Sequence, residues 1–162
     1  MKSNSFLNDL PTGRILGIDY GQKRIGLALS DPFQILSSPL CTLQNTGVQK
    51  IINDILDVVK KYEIVAIVTG LPINMNGSVG KTAQIVQNFI DILDQKCNVP
   101  VCSWDERWTT VSAEKSLLEK NKSPSKNRDR IDQIASAFLL QAFLDRLNNI
   151  RKNNNSFTNT NS

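Results

Sequence analysis

Residues 14–30, RILGIDYGQKRIGLALS, decide how the fold begins. RILGIDY and RIGLALS are short apolar runs, separated only by Gly21, Gln22 and Lys23. Two such runs joined by a short polar link that contains glycine are typical of a β-hairpin. A third apolar run, QILSSPLCTL at residues 34–43, would complete an antiparallel meander of three strands.

Beyond the meander the apolar residues change from a strand pattern to an alternation of helices and strands. The continuous apolar run EIVAIVTG is typical of a strand that is buried on both faces. In chain order the pattern predicts an amphipathic helix at 48–62, a strand at 63–70, a turn-rich loop at 70–80, a second helix around 83–93, a strand at 98–104 and a further helix from about Thr109.

The last helix is predicted from Ile131 to about Leu147, and it should pack deep against the sheet because most of its surface is apolar. Together the elements predict an α/β chain with a mixed five-stranded sheet flanked by helices. Three antiparallel strands would lead into parallel β-α-β units. We expect one domain at residues 14–149, between a flexible N-terminus at 1–13 and a disordered polar tail at 150–162.

Composition narrows the chemistry that the chain can perform. The sequence has 162 residues, a net charge of +4 and a pI of about 9.1, a balance that suits a polyanionic partner. It has no histidine, which excludes histidine bases, Ser-His-Asp triads and histidine-bound zinc. Three cysteines without a Cys-x-x-Cys pair, and a first segment without an apolar core, predict a cytoplasmic protein.

Five acidic residues stand at the ends of predicted elements: Asp19, Asp105, Glu106, Asp129 and Asp132. Each has an ordinary structural explanation, as a hairpin turn, an acidic strand end or the first turn of a helix. Because side chains alternate along a strand, only one of Asp105 and Glu106 can share a face with a given neighbour. Asp129 and Asp132 are three apart, which places both on one face of a helix.

Taken together, the acids indicate a site for divalent cations. Three widely separated segments each supply a carboxylate, and carboxylates with open positions suit Mg²⁺ or Mn²⁺. A pair of such ions stabilises the attacking and the leaving oxygen of an in-line displacement, and this chemistry needs no histidine. The residues alone therefore indicate phosphodiester hydrolysis.

Four motifs occur in a specific order: GIDYGQKRIGLALSD at 17–31, VTGLPINMNG at 68–77, DERWTT at 105–110 and RIDQIASAFLLQAFL at 130–144. In this order the chain resembles the YqgF/RuvX family of ribonuclease H-like proteins, from about Ile15 to Leu147. The resemblance implies a ribonuclease H-like fold. It also implies a metal-dependent nuclease that acts in 5′-end maturation of pre-16S ribosomal RNA, during ribosome biogenesis.

The resemblance also assigns roles to the acids. Asp19, Glu106 and Asp132 match the family's catalytic carboxylates, and they would be the ligands of Mg²⁺ or Mn²⁺. The related RuvC-type resolvases have two acids three apart at the last position, which implies an assisting role for Asp129.

Several basic and amide side chains could bind nucleic acid. Lys23, Arg24 and Arg107 flank the acids, and residues 120–130 form a strongly basic segment. Asn74 and Asn76 follow a strand end and could donate hydrogen bonds to phosphates, although a glycine-rich turn without a ligand explains them too. The predicted nucleic-acid contacts are Lys23, Arg24, Asn74, Asn76, Arg107, Lys122, Lys126 and Arg128.

Trp104 and Trp108 bracket the third motif. Both could stack on nucleic-acid bases, whereas packing in the core is expected for at least one of them.

Three other functions remain open. A Holliday-junction resolvase would need a twofold dimer to make two coordinated cuts, and the sequence predicts no exposed apolar patch for one. A nucleic-acid-binding module without catalysis would not need all the acids. An actin-like or sugar-kinase ATPase also has a GIDYG-like loop, but its cleft lies between two domains. We expect a monomer or a weak homodimer that binds an RNA precursor.

Overall fold

The structure is a computed structural model that describes residues 7, 9–108 and 128–158. The strands are β1 (Arg14–Tyr20), β2 (Arg24–Ser30), β3 (Ser37–Gln44), β4 (Ile64–Leu71) and β5 (Val101–Asp105). The helices are α1 (Val48–Lys61), α2 (Lys81–Lys96) and α3 (Arg128–Thr158), and a 3₁₀ turn spans Glu106–Trp108. The helix predicted from Thr109, as well as Lys122 and Lys126, lies outside the described residues.

The five strands form one mixed sheet in the order β3-β2-β1-β4-β5. β1 pairs antiparallel with β2, and β2 pairs antiparallel with β3. β1 pairs parallel with β4, and β4 pairs parallel with β5. The predicted sheet is therefore confirmed, and the carboxyl ends of β1, β4 and β5 meet at one edge, where α/β folds usually bind ligands.

Helices cover both faces of this sheet because successive strand residues point to opposite sides. Leu16 and Ile18 of β1 belong to a core that includes Ile51 and Ile55 of α1 and Phe89 of α2. On the other face, Ile15, Ala28 and Val68 pack with Leu139, Leu140 and Phe143 of α3. The apolar spacing that predicted α1 and α2 thus corresponds to the stripe that each helix buries.

The first turns of α3 lie almost on the sheet because two glycines leave room for them. A Cβ atom at Gly26 of β2 would overlap the backbone carbonyl oxygen of Asp132. A Cβ at Gly70 of β4 would collide with the side chain of Leu139. The two glycines therefore set the distance between the sheet and the helix.

Helix α3 is longer at both ends than the sequence predicts. It begins at Arg128 and continues through Thr158, so residues 150–158 of the predicted tail are helical. Two contacts of Arg151 with distant segments fix this extension. Its guanidinium donates to Gln34 Oε1 at 2.9 Å and to the carbonyl oxygen of Leu10 at 3.2 Å.

The predicted absence of an exposed apolar patch is wrong. Phe33, Ile35 and Leu36, in the loop before β3, are 78%, 56% and 65% exposed. Nearby, the half-exposed Phe138 of α3 and Pro39 of β3 line a shallow groove. The sequence of this loop could not reveal the patch because its apolar residues were interpreted as the start of a strand.

None of the helices in the described ranges combines the length and apolar character needed to cross a bilayer.

Candidate active site

Asp19 lies near the end of the central strand β1, on the face that α3 covers. It is only 7% exposed, and Gly26 of β2 is its cross-strand partner. Ile18 pairs with Thr69, so Asp19 comes next to Gly70 of β4. Side-chain alternation places Asp19 on the same face as Gly17, whose Cβ position touches Leu140 of α3. A buried carboxylate at this place must be stabilised by polar partners or by a bound cation.

Glu106 follows β5 directly and lies on the same face as Asp19. Cys102 and Trp104 of β5 pack in the core beside α3, and the Cβ position of Gly70, which Leu139 of α3 covers, is on that face too. Glu106 Oε1 would lie 2.6 Å from a Cβ atom at Gly70. Its carboxylate therefore lies over Gly70, the β4 residue beside Asp19.

Asp105 does not face the carboxylates of Asp19 and Glu106. It accepts hydrogen bonds from Arg107 Nε at 3.0 and 3.1 Å and from Arg107 Nη2 at 2.6 Å. The hydrogen bonds that Arg107 donates to Asp105, together with the charge of that carboxylate, raise the pKa of Arg107 above its usual range, although desolvation opposes them. Of the two neighbouring acids, Asp105 therefore binds Arg107, whereas Glu106 lies over Gly70.

Asp132 lies in the first turns of α3, directly over the sheet. It is 7% exposed, and its carbonyl oxygen covers Gly26. Its Oδ2 accepts a hydrogen bond from Arg24 Nε at 2.7 Å. The same Nε lies 3.6 Å from Asp129 Oδ1, but the side chain of Asp129 is 59% exposed. Asp132 therefore faces the interior of the site, and Asp129 lies on its rim.

The three inward carboxylates, those of Asp19, Glu106 and Asp132, are hereafter called the carboxylate site. Their carboxylate oxygens are the kind of donor that a hard divalent cation prefers. Within the residues that the structure describes, however, no three acidic or thiol side chains are close enough to hold an ion together. Arg24 neutralises Asp132 in this arrangement, so a cation would have to compete with its guanidinium.

The predicted basic contacts lie around the carboxylate site in different settings. Lys23 is exposed in the hairpin loop, and Arg128 is exposed at the first residue of α3. Arg24, by contrast, points inward to Asp129 and Asp132. Arg107 is partly exposed, and its Nη1 would be 3.5 Å from a Cβ at Gly77 of the loop after β4.

Asn74 and Asn76 are engaged with their own loop. Asn74 Nδ2 donates to Ser78 Oγ at 2.9 Å, and Ser78 Oγ donates to Asn76 Oδ1 at 2.6 Å. The backbone N–H of Gly77 donates to the carbonyl oxygen of Asn74 at 2.8 Å. These contacts support the interpretation of this segment as a self-folded turn, which leaves few amide groups for a ligand.

Two residues near the site have a role that the sequence did not reveal. Gly70 lies beneath the carboxylate of Glu106. The sequence feature that could have identified it is a glycine at the end of a buried strand. Asp105 holds Arg107, a pairing that no local pattern indicates. Trp104 is partly buried and packs against the core, as predicted for at least one of the two tryptophans, and its ring meets Phe143 edge-on with 5.6 Å between centroids.

Comparison with known proteins places this geometry in a family. Residues 13–146 match the family described as RuvX, Holliday junction resolvase. The chain is 41% identical over 133 residues to a "Putative pre-16S rRNA nuclease" from Roseiflexus sp. (strain RS-1), covering 82% of this chain and 94% of the relative. It is also 41% identical over 134 residues to a protein of the same name from Clostridium kluyveri, covering 83% and 98%.

Among solved structures, the chain resembles T. thermophilus RuvC in complex with a Holliday junction substrate. The TM-score is 0.54 at 15% identity, and the match covers 84% of this chain and 96% of that one. At this identity the likeness concerns the fold alone, and it confirms the predicted ribonuclease H-like architecture. On the sequence matches, this chain belongs to the RuvX family.

Proposed function

We propose that this protein is a metal-dependent nuclease that hydrolyses phosphodiester bonds in the 5′-end maturation of pre-16S ribosomal RNA. One observation carries the proposal: Asp19, Glu106 and Asp132 come from three distant segments and face the same side of the sheet at its carboxyl edge. The relatives named as pre-16S rRNA nucleases support RNA as the substrate. A precursor of ribosomal RNA would place the protein in the cytoplasm.

In this proposal the carboxylate site would hold Mg²⁺ or Mn²⁺. A bound ion of this kind lowers the pKa of water and stabilises the charge that develops on a phosphoryl group. Asp129 assists from the rim, where it shares Arg24 with Asp132. By pairing with both acids, Arg24 limits the repulsion between carboxylates when no cation is bound.

The substrate backbone would run along the basic side chains that surround the carboxylate site. Lys23 and Arg107 lie next to the strand ends, and Arg128 lies beside the first turn of α3. Lys122 and Lys126 are further predicted contacts of the nucleic-acid backbone. Asn74 and Asn76 would contribute only if substrate binding opened the hydrogen bonds of their loop.

Removal of divalent cations is expected to abolish cleavage. Because the chain has no histidine, the activation of water falls largely to the ions. The purified protein is incubated with an RNA that carries the 5′ leader of pre-16S RNA. It should cut this RNA in the presence of Mg²⁺ or Mn²⁺ but not in EDTA. Undiminished cleavage in the chelator by homogeneous protein would contradict the proposed mechanism.

Replacing Lys122, Lys126 and Arg128 together with alanine should weaken RNA binding and reduce its dependence on salt. Each lost phosphate contact lowers the slope of log affinity against log salt by about 0.9 for a duplex and about 0.7 for a single strand. The matched control replaces Lys50, Lys60 and Lys61, three exposed lysines of α1 on the other face of the sheet. Equal slopes for both triple variants would mean that RNA does not touch the basic segment.

A Holliday-junction resolvase is the second candidate, and the exposed apolar groove between β3 and α3 favours it. The family description also names this activity. Such an enzyme needs a twofold dimer, which the groove could support. Incubation of the protein with a four-way DNA junction, beside structured and single-stranded RNA, separates the two activities, and sedimentation separates a monomer from a dimer.

A further inference from the structure

Asp105 and Arg107 form a bidentate ion pair next to the carboxylate site. Arg107 Nε and Nη2 both donate to the Asp105 carboxylate, with the shortest distance 2.6 Å, and the backbone N–H of Arg107 donates to Asp105 Oδ1 at 3.0 Å. The side chain of Asp105 is 12% exposed and that of Arg107 is 36% exposed. The carboxylate is thus the inner partner, and it fixes the direction of the guanidinium group.

The remaining N–H groups of Arg107 face the loop after β4. A guanidinium group has five N–H donors, and Asp105 engages only Nε and one N–H of Nη2. Nη1, with two donors, would lie 3.5 Å from a Cβ at Gly77, an ordinary van der Waals contact, so the guanidinium lies against this loop. Among the residues that the structure describes, Nη1 has no hydrogen-bond partner, and the side chain of Arg107 is 36% exposed.

The loop that faces Arg107 is held in one shape by its own hydrogen bonds. Ser78 accepts from Asn74 and donates to Asn76, and the Gly77 N–H is bonded to the Asn74 carbonyl. Glu106, between the two members of the ion pair, places its carboxylate over Gly70, just before this loop. Arg107 therefore directly follows Glu106, a member of the carboxylate site, in the chain.

We propose that Asp105 is a positioning residue, which holds the Arg107 guanidinium beside the Asn74–Ser78 loop so that its free N–H groups bind a phosphate of the nucleic-acid backbone. This inference rests on the proposed nuclease function, which it extends by naming how the substrate is held. Orienting Arg107 in advance lowers the entropy lost when the phosphate binds. A guanidinium group whose N–H groups on one edge bind a carboxylate still has N–H donors on its other edge that can bind a phosphate oxygen.

The experiment measures binding of a fluorescein-labelled RNA hairpin in EDTA, where no metal-dependent cleavage occurs. Asp105→Asn should raise Kd about two- to tenfold, the range expected when one long side chain must be ordered on binding. Arg107→Ala should raise Kd at least as much and reduce the salt slope by about 0.7–0.9. The double variant should bind like Arg107→Ala alone if Asp105 affects binding through Arg107, as proposed.

Asp54→Asn is the matched control, since it breaks an exposed ion pair with Lys50 on the opposite face of the sheet. Arg107→Lys provides a second variant that does not depend on the stability of Asp105→Asn. Lysine keeps the charge but cannot form the bidentate fork, so its Kd should rise as in Asp105→Asn. In Mg²⁺, both variants should raise KM far more than they lower kcat.

An unchanged Kd for Asp105→Asn, or effects of Asp105→Asn and Arg107→Ala that add, would overturn the inference. A fall in kcat together with loss of stabilisation by Mg²⁺ would also overturn it, because Asp105 would then be a metal ligand. Because binding is measured without divalent cations, its result does not depend on cleavage. If the protein cleaves no RNA, the proposed function fails, but the binding constants still decide the role of Asp105.

Discussion

Glu106→Gln is expected to lower kcat by a factor on the order of 10²–10³ or more, as when other charge-stabilising groups are removed from active sites. The carboxylate lies over Gly70 and beside Asp19, so it belongs to the group that would bind the cations. Glutamine keeps the size and shape of the side chain and removes the charge. The melting temperature without metal should therefore stay near that of the wild type, while stabilisation by Mg²⁺ should fall.

The adjacent residue provides a demanding control for this result. Asp105→Asn makes the same change, carboxylate to amide, one position earlier in the chain. Asp105 binds Arg107 and not the carboxylate site, so this variant should keep most of its kcat. If Asp105→Asn lost turnover and Glu106→Gln kept it, the two side chains would have been assigned to the wrong faces.

The sheet and its order of strands could be predicted from local patterns. Alternating and continuous apolar runs define β1, β2 and β4, and the structure adds the register of the hairpin, in which Asp19 pairs with Gly26. The same logic limited the choice at 105 and 106 to one residue, and the resemblance selected Glu106. Local periodicity decides which face of an element is buried, and this information is contained in short segments.

Contacts between distant side chains could not be predicted in this way. Arg24 and Asp132 are separated by 108 positions, and the sequence predicted Arg24 as a nucleic-acid contact and not as a partner of Asp132. Arg151 extends α3 into an asparagine-rich tail by reaching Gln34, 117 positions away. Such pairs depend on how the elements pack, and the composition of each segment does not reveal them.

Gly26→Ala is expected to damage both stability and activity, because it changes the distance between α3 and the sheet. The new Cβ would overlap the carbonyl oxygen of Asp132, which belongs to the helix backbone and cannot rotate away. Overpacking of this kind typically costs about 1–3 kcal/mol of the free energy of unfolding. For a chain of this size, each kcal/mol lowers the melting temperature by roughly 2–4 °C.

The same displacement should act on the carboxylate site. Gly26 is the cross-strand partner of Asp19 and lies directly beneath Asp132, so raising the helix separates these two carboxylates. We therefore expect Mg²⁺ to stabilise the variant less than the wild type, and cleavage to fall even at temperatures where the variant is folded. Melting curves with and without Mg²⁺, beside a cleavage assay, measure both effects.

Gly80→Ala is the control for replacing a glycine as such. Gly80 has a φ of −80°, which any residue adopts, and its Cβ would meet the Asn74 side chain at 3.4 Å, an ordinary contact. Because Gly80 is also the N-cap of α2, where alanine is a poorer cap than glycine, the melting temperature of this variant should fall slightly, but by less than that of Gly26→Ala. A Gly26→Ala protein that melted like the wild type and kept its response to Mg²⁺ would mean that α3 does not lie against β2. The carboxylate site would then lose Asp132, since only this close approach of the helix places that residue beside Asp19.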